Sequence, residues 1–398
     1  MNSGSHRATG IALGGLIALA AAMGIGRFVY TPILPFMVDS LGLTKAEGGV
    51  IASVNFLGYL LGALAASTAA LPGGRRGWFL AALAISALST GVMGLSSSMA
   101  VFLGLRFVGG FASAFVLVFA SALVLDRLAA AGRSGLSAVH FAGVGCGIAV
   151  SAVLVAGLAA EGYDWRTLWL SSGIVSFVAL AAVVWLVPSE AEAKRPAAAS
   201  QDAGIDRRLI ALIVAYGLFG FGYVITATFI STMVRTSPDI RSIEPVIWLV
   251  VGLAAVPSVA LWTWIGHRFG NDRSFAIACL VEAAGVAMSV LTTSALAVVV
   301  SAALLGGTFM GITALGLVNA RRLSTGDPRR SLAFMTAAFG LGQMIGPTFA
   351  GVAYDLGNSF LVPSLVAAAA LVVAAGLVMD VRAWLGPLAY RKRFSGRG

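Results

Sequence analysis

Long apolar stretches follow one another through almost the whole chain, and each is long enough to cross a lipid bilayer. A helix needs about 20 residues to span the hydrocarbon core. Twelve such stretches are legible by hydropathy and length, at 9–38, 46–70, 78–96, 99–126, 135–160, 167–187, 208–235, 245–266, 274–294, 296–320, 331–354 and 360–385. In lipid each backbone N–H and C=O must find its partner inside the protein, so stretches of this length fold as helices. The expectation is an all-α membrane protein of twelve transmembrane helices. Composition agrees: 59% of the 398 residues are hydrophobic and 11% are charged, against about 25% charged in soluble domains. Thr9 to Ala22 imitates the apolar region of a secretory signal, but Arg27 and the continuation through Pro35 make it the first span.

The net charge of +10 raises nucleic acid as a partner, but the placement of the charges explains it better. The loops of one side carry only Lys45, Arg166, Arg235 and Arg241, and Arg27 and Arg106 lie within spans; the other 20 of the 26 Lys and Arg fall on the opposite side. Basic residues collect in cytoplasmic loops. Both termini and the polar stretch 188–207 are therefore expected in the cytoplasm. Cys146 and Cys279 sit inside apolar spans without metal-ligand spacing and read as small apolar fillers.

The two halves of the chain repeat. Gly73 and Arg76 precede Gly270 and Arg273 by 197 residues, Gly109-Gly110 precedes Gly306-Gly307 by 197, and Gly143-Val144-Gly145 precedes Gly340-Leu341-Gly342 by 197. Gly24-Ile25-Gly26 precedes Gly220-Phe221-Gly222 by 196. Glycine is common here, so one match means little, but a nearly constant offset over four matches in order implies a parallel repeat of six-helix bundles. The expected organisation is a first bundle at 1–187, a cytoplasmic linker at 188–207, and a second bundle at 208–398 with a short basic tail. Repeats of this kind place a binding site between the halves near the midplane.

Within the first span, Gly24-Ile25-Gly26-Arg27-Phe28-Val29-Tyr30-Thr31-Pro32-Ile33-Leu34-Pro35 sets a guanidinium deep in apolar sequence. That costs about 2.5–3.5 kcal/mol on insertion scales, and arginine cannot escape by losing its proton. Glu282 is the one acid clearly inside a span, so the chain offers almost no carboxylate to pair with Arg27. The leading expectation is that an anionic substrate is the missing partner; the alternative is a structural arginine bonded to helix-end carbonyls.

The stretches Gly24 to Pro32, His140-Phe141-Ala142-Gly143-Val144-Gly145, Gly306-Gly307-Thr308-Phe309-Met310-Gly311-Ile312-Thr313 and Gly340-Leu341-Gly342-Gln343-Met344-Ile345-Gly346-Pro347 resemble the YbfB/YjiJ-type bacterial transporters of the major facilitator superfamily. The resemblance covers essentially the whole chain. It implies a transporter, puts Arg106 at the superfamily's fourth-helix arginine, and makes the first helix line the cavity. One departure stands out. The superfamily's loop after helix two carries an aspartate where this chain has Ala66, and the basic cluster Gly73-Gly74-Arg75-Arg76 comes late, which puts the usual acid-mediated inner gate in doubt. The glycine-proline pattern at Gly342 to Pro347 falls in helix eleven rather than helix five, so no export inference follows from it.

The candidate substrate-binding residues are Arg27, Tyr30, Asn55, Tyr59, Arg106, Tyr223, Thr226, Thr308 and Gln343. Tyr30 lies three residues from Arg27 on one helix face and either offers it a hydroxyl or packs. Arg106 is a second anion ligand, or it bonds loop carbonyls. Tyr216, Phe219, Tyr223 and Thr226 form one polar-aromatic stripe at helical spacing, and Tyr223 aligns with Arg27 by the repeat offset. Asn55 and Tyr59 share a face four residues apart. With Gln343, they line the site or serve as interhelical glue. Thr308 is a weaker candidate, and Gly307-x-x-x-Gly311 is expected to allow close helix packing. His140 and Glu282 are the candidate proton carriers, each with a structural alternative. Asp126 is expected beside Arg127 at the inner end of its helix.

No phosphate-binding loop, metal cluster or paired nucleophile and base is legible, so neither an ATP-driven machine nor an enzyme is expected, and no cofactor. The function expected is secondary active transport of a small organic anion by alternating access, coupled to protons. The chain is expected to work as a monomer in the bilayer. A multidrug or metabolite exporter and, from another class, a membrane sensor or scaffold on a transporter fold remain as alternatives.

Overall fold

The computed structural model describes residues 2–67, 74–187, 206–324 and 328–379. Among these, twelve helices have the length and apolar composition to cross a membrane, from Ala8–Leu41 through Leu361–Val378. Their ends fall within a few residues of the expected spans, apart from an earlier start for the eighth and an earlier end for the last. Most of the expected linker, 188–205, and the tail from 380 lie outside the described residues.

The helices are α1 (Asn2–Leu19), α2 (Tyr30–Leu41), α3 (Lys45–Ser67), α4 (Arg75–Val92), α5 (Met99–Ala130), α6 (Ser137–Ala160), α7 (Trp165–Leu186), α8 (Arg207–Thr236), α9 (Glu244–Phe269), α10 (Asn271–Leu291), α11 (Ala295–Leu323), α12 (Pro328–Gly357) and α13 (Leu361–Val378). In the first half α3 and α4 pack on α5, and α1 on α6. In the second half α11 packs on α9, and α12 and α13 pack on α8. The halves meet where α3 lies along α12, α6 along α9, and α2 against α8. The first two pairs exchange under the repeat, since α3 corresponds to α9 and α12 to α6. That is the relation a parallel twofold repeat requires.

The first span is broken, where a continuous helix was expected. After α1 the chain makes a π-helical turn, Ala20–Ile25, and α2 restarts only at Tyr30. Proline explains part of this. Pro32 has no N–H to give the Phe28 carbonyl, so the Thr31 N–H turns back to it at 3.2 Å. The carbonyl of Arg27 is thereby left without its usual helical donor. Gly24 permits the π turn to sit against α6, because a Cβ there would run into the backbone of Gly147.

The expected close packing at Gly307-x-x-x-Gly311 is shifted by one residue. A Cβ at Gly307 would stand in open space, whereas one at Gly306 would strike the Val251 carbonyl and one at Gly311 the Trp262 ring. The Gly307 carbonyl is instead an acceptor for Trp262 Nε1 at 2.8 Å and Ser258 Oγ at 2.9 Å. Asp126 pairs with Arg75 at 3.7 Å, a partner that sequence proximity to Arg127 did not suggest. Arg76 donates to the carbonyls of Val184 and Val187, both at 2.8 Å. The late basic cluster thus ties down the last turn of α7.

We call the end of the bundle away from the start of α1 and the finish of α13 the distal end. There the halves are joined by polar contacts. The Asp355 carboxylate accepts from the Lys45 and Ala46 N–H groups at 3.1 and 2.9 Å, satisfying two donors at the start of α3 from the other half. Arg235 bridges Asp39 at 3.1 Å and Glu244 at 2.8 Å while its guanidinium lies 3.7 Å from the Phe36 ring centre. Thr348 donates to Ser53 at 2.8 Å.

Candidate functional site

Arg27 occupies the gap between α1 and α2, where the broken backbone points its side chain at the interface between the halves. The residue is 3% exposed. Its guanidinium lies 4.1 Å from the ring centre of Tyr59, 4.6 Å from Phe56 and 5.3 Å from Phe28. Nη2 donates to Gln343 Oε1 at 2.9 Å, and Gln343 Nε2 donates to the Tyr223 hydroxyl. Among the described residues no carboxylate oxygen lies within 4 Å of the guanidinium, and Nε has no hydrogen-bond partner. Cation–π contacts contribute about 0.5–2 kcal/mol each and a hydrogen bond to a charged group about 1.5–3. Together they offset an insertion cost of about 2.5–3.5 kcal/mol. The buried guanidinium is therefore tolerable while its charge stays unneutralised.

Aromatic rings continue the site into the second half. Tyr223 lies nearly parallel to Phe309, centres 5.6 Å apart at 8°, and to Phe339, 5.9 Å apart at 6°. Phe219 and Tyr216 extend this stack, so the three rings of the stripe expected on the seventh span face α11 and α12. Phe28 meets the edge of Phe309 across the interface, with centres 6.1 Å apart. A small cavity between the halves is bordered by Arg27, Phe28, Thr31, Phe56, Ala227 and Thr228 among others. The surroundings of Arg27 are thus planar, apolar and π-rich, with one amide and two phenols as polar points.

Arg106 has a different environment. Its Nη1 donates to the Gly26 carbonyl at 3.1 Å and its Nη2 to the Arg27 carbonyl at 3.0 Å. These belong to the break in the first span. Arg106 therefore holds the backbone that carries Arg27, which is the loop-carbonyl alternative. Tyr30 turns its hydroxyl to the Gly48 carbonyl at 2.7 Å and offers its ring to Arg106 at 5.0 Å, not its hydroxyl to Arg27. Asn55 donates to the Arg106 carbonyl at 2.7 Å, joining α3 to α5. Tyr59 shares the Arg27 side of α3 with Phe56 instead.

The remaining candidates divide. The Thr226 hydroxyl is buried without a partner among the described residues, one turn beyond Tyr223. The Thr308 hydroxyl bonds the Leu304 carbonyl of its own helix at 2.6 Å. His140 is fully buried between α1, α5 and α6; its Nε2 lies 3.2 Å from Ser121 Oγ and its other nitrogen lies against Gly15. Glu282 is fully buried on α10, and neither carboxyl oxygen has a partner among the described residues. Phe56, Phe309 and Phe339 were not among the sequence candidates. The spacing of Phe56 and Tyr59, three apart on one face, was the available signal for the first.

The family model described as "Uncharacterised MFS-type transporter YbfB" matches residues 19–379. The chain belongs to this family of transporters. Its twelve membrane-length helices among the described residues make it a multi-pass membrane protein of that family. A solved structure of the nucleoside transporter NupG has the same fold, with a TM-score of 0.74 over 93% of this chain and 99% of that one, at 15% identity. A gentisate transporter of Corynebacterium glutamicum is 25% identical over 289 residues, covering 68% of this chain and 64% of that protein. A gallate transporter of Pseudomonas putida is 27% identical over 173 residues, covering 43% and 38%. The chain thus matches less than two thirds of the length of either relative.

Proposed function

We propose that this chain carries a small aromatic carboxylate across the bacterial cytoplasmic membrane by alternating access, driven by protons. The observation that carries the reading is Arg27: a buried guanidinium between the halves, ringed by aromatic faces, with neutral partners and no carboxylate beside it among the described residues. A benzoate-like acid supplies what this arrangement lacks. Its carboxylate takes two parallel N–H bonds from the guanidinium, and its ring lies against Phe28, Phe56 and Phe309. The gentisate and gallate of the relatives' names are both hydroxylated benzoates, which supports the class.

Binding of the anion neutralises Arg27 and lowers the cost of burying it as the halves rock about the midplane. Glu282 is the proposed proton carrier, with His140 as the second candidate. The Glu282 carboxyl is fully buried and has no partner among the described residues, so taking up a proton removes a charge that nothing there compensates. The distribution of basic residues supports a distal end outside the cell; in that orientation the distal contacts close the carrier to the exterior.

Uptake of gentisate and benzoate into proteoliposomes under an imposed pH gradient tests the reading. Accumulation is expected with an acidic exterior and is expected to disappear when the gradient is collapsed. Uptake that follows a sodium gradient and ignores pH overturns the coupling. No flux of any aromatic acid overturns the substrate class.

A further inference from the structure

Gln343 is fully buried and sits between a cation and a phenol. Its amide oxygen accepts from Arg27 Nη2 at 2.9 Å, and its amide nitrogen donates to the Tyr223 hydroxyl. Arg27 belongs to the first half; Gln343 and Tyr223 belong to the second. One planar amide therefore joins the charge of one half to a hydroxyl of the other. The match is incomplete, because a neutral oxygen leaves the guanidinium charge standing and Arg27 Nε unpartnered.

A carboxylate has the planar outline of a primary amide, with acceptor oxygens at both of its terminal positions. Set in the place of the Gln343 amide, it takes two parallel N–H bonds from Arg27, and the oxygen on the Tyr223 side also accepts the Tyr223 O–H. These bonds are charge-assisted and stronger than those they replace. The geometry points to Gln343 as an internal stand-in for the substrate's carboxylate: the bound acid displaces the amide from between Arg27 and Tyr223. This deepens the proposed function and rests on it. In the empty protein the amide keeps a buried guanidinium and a buried phenol from losing their partners together. It also acts as a filter. A neutral primary amide only reproduces the Gln343 contacts and gains nothing by displacing it, whereas a carboxylate adds the charge pairing.

Melting temperature and ligand-induced shift of the purified full chain test this, with benzoate, gentisate and benzamide as probes. Benzoate and gentisate are expected to stabilise the wild type, and benzamide to leave it unchanged. Gln343→Glu is expected to raise the melting temperature of the empty protein by about 2–4 °C or more and to abolish the benzoate shift. The rise is expected to vanish when Arg27→Gln is added, or Arg27→Met where the first variant does not fold. Gln343→Leu, or Gln343→Met in its place, is expected to bind benzoate several-fold more tightly because no competitor remains. Weaker benzoate binding by Gln343→Leu makes Gln343 a direct ligand and overturns the inference, as does Gln343→Glu without an Arg27-dependent rise. If the wild type binds none of the acids, the aromatic-acid reading fails on its own. The melting behaviour of Gln343→Glu with and without Arg27 then decides the role of Gln343.

Discussion

Thr31 donates a hydrogen bond to the carbonyl of Ala227 at 2.7 Å, and the two residues are 196 positions apart. That is the offset between Gly24 and Gly220, so the bond joins equivalent positions of the two repeats. Asp39 and Arg235 have the same separation and form an ion pair at 3.1 Å. Two points related by a twofold axis meet only where the axis passes between them. The distal halves of α2 and α8 therefore straddle the pseudo-twofold, and Arg27 sits just below this crossing. Alternating access through this site requires the crossing to part.

The distal contacts are expected to hold the halves closed. The cap on α3 from Asp355 and the Arg235–Asp39 pair contribute about 0.5–2 kcal/mol each, the pair at the low end because the Asp39 side chain is 60% exposed. Removing both by Arg235→Ala with Asp355→Asn shifts the open population by about tenfold. An impermeant maleimide on Ser53→Cys, which lies 6% exposed between α3 and α12, reads this as a faster labelling rate. An unchanged rate in the double variant removes these contacts from the gate.

Arg106 is expected to act through backbone. Arg106→Ala strands the carbonyls of Gly26 and Arg27, at about 1–3 kcal/mol each if they stay dry. A lower melting temperature is expected, with partial recovery in Arg106→Lys, which restores one donor. Ligand affinity in whatever protein remains folded is expected to change little. A variant that melts like the wild type but no longer binds the acid makes Arg106 an anion ligand after all.

The spans were legible because one physical demand, about 20 apolar residues in a row, is written locally. Arg27 was legible for the same reason, since an arginine in such a run has few explanations. The break at residues 20–29 was not read, although Gly24, Gly26, Pro32 and Pro35 all lie in or beside it; each is tolerated in an unbroken membrane helix. Arg106 was left open between two roles because its acceptors exist only once that break is known. Gln343 and Asp355 depend on register between the halves. Their partners lie 316 and about 310 residues away, and no local pattern records that register.

Orientation is open to direct measurement. Ala199→Cys, in the expected linker, and Ser359→Cys, in the loop between α12 and α13, are introduced singly and exposed to an impermeant thiol reagent on intact cells. Labelling is expected at 359 and not at 199, because the topology expected from the sequence puts 20 of the 26 basic residues on the linker's side of the membrane. Labelling of 199 from outside inverts the topology, and with it the claim that the closed end faces the exterior.

Arg27 carries the sharpest test. If it binds the acid, Arg27→Ala abolishes binding and flux while the protein stays folded, since removing an unneutralised buried charge does not have to destabilise the empty state. The Gln343 oxygen and the faces of Phe56 and Tyr59 lose a weakly compensated partner, so the melting temperature is expected to hold or rise. Arg27→Lys is expected to lose at least about tenfold in affinity, because an ammonium on a flexible stem cannot give a carboxylate two parallel bonds or stack flat on Tyr59. A structural arginine behaves oppositely: Arg27→Ala melts lower, and the surviving fraction binds with wild-type affinity. Melting temperature and affinity measured on the same preparation separate the two. A destabilised Arg27→Ala that still binds benzoate normally removes the charge partner on which the aromatic-acid reading rests.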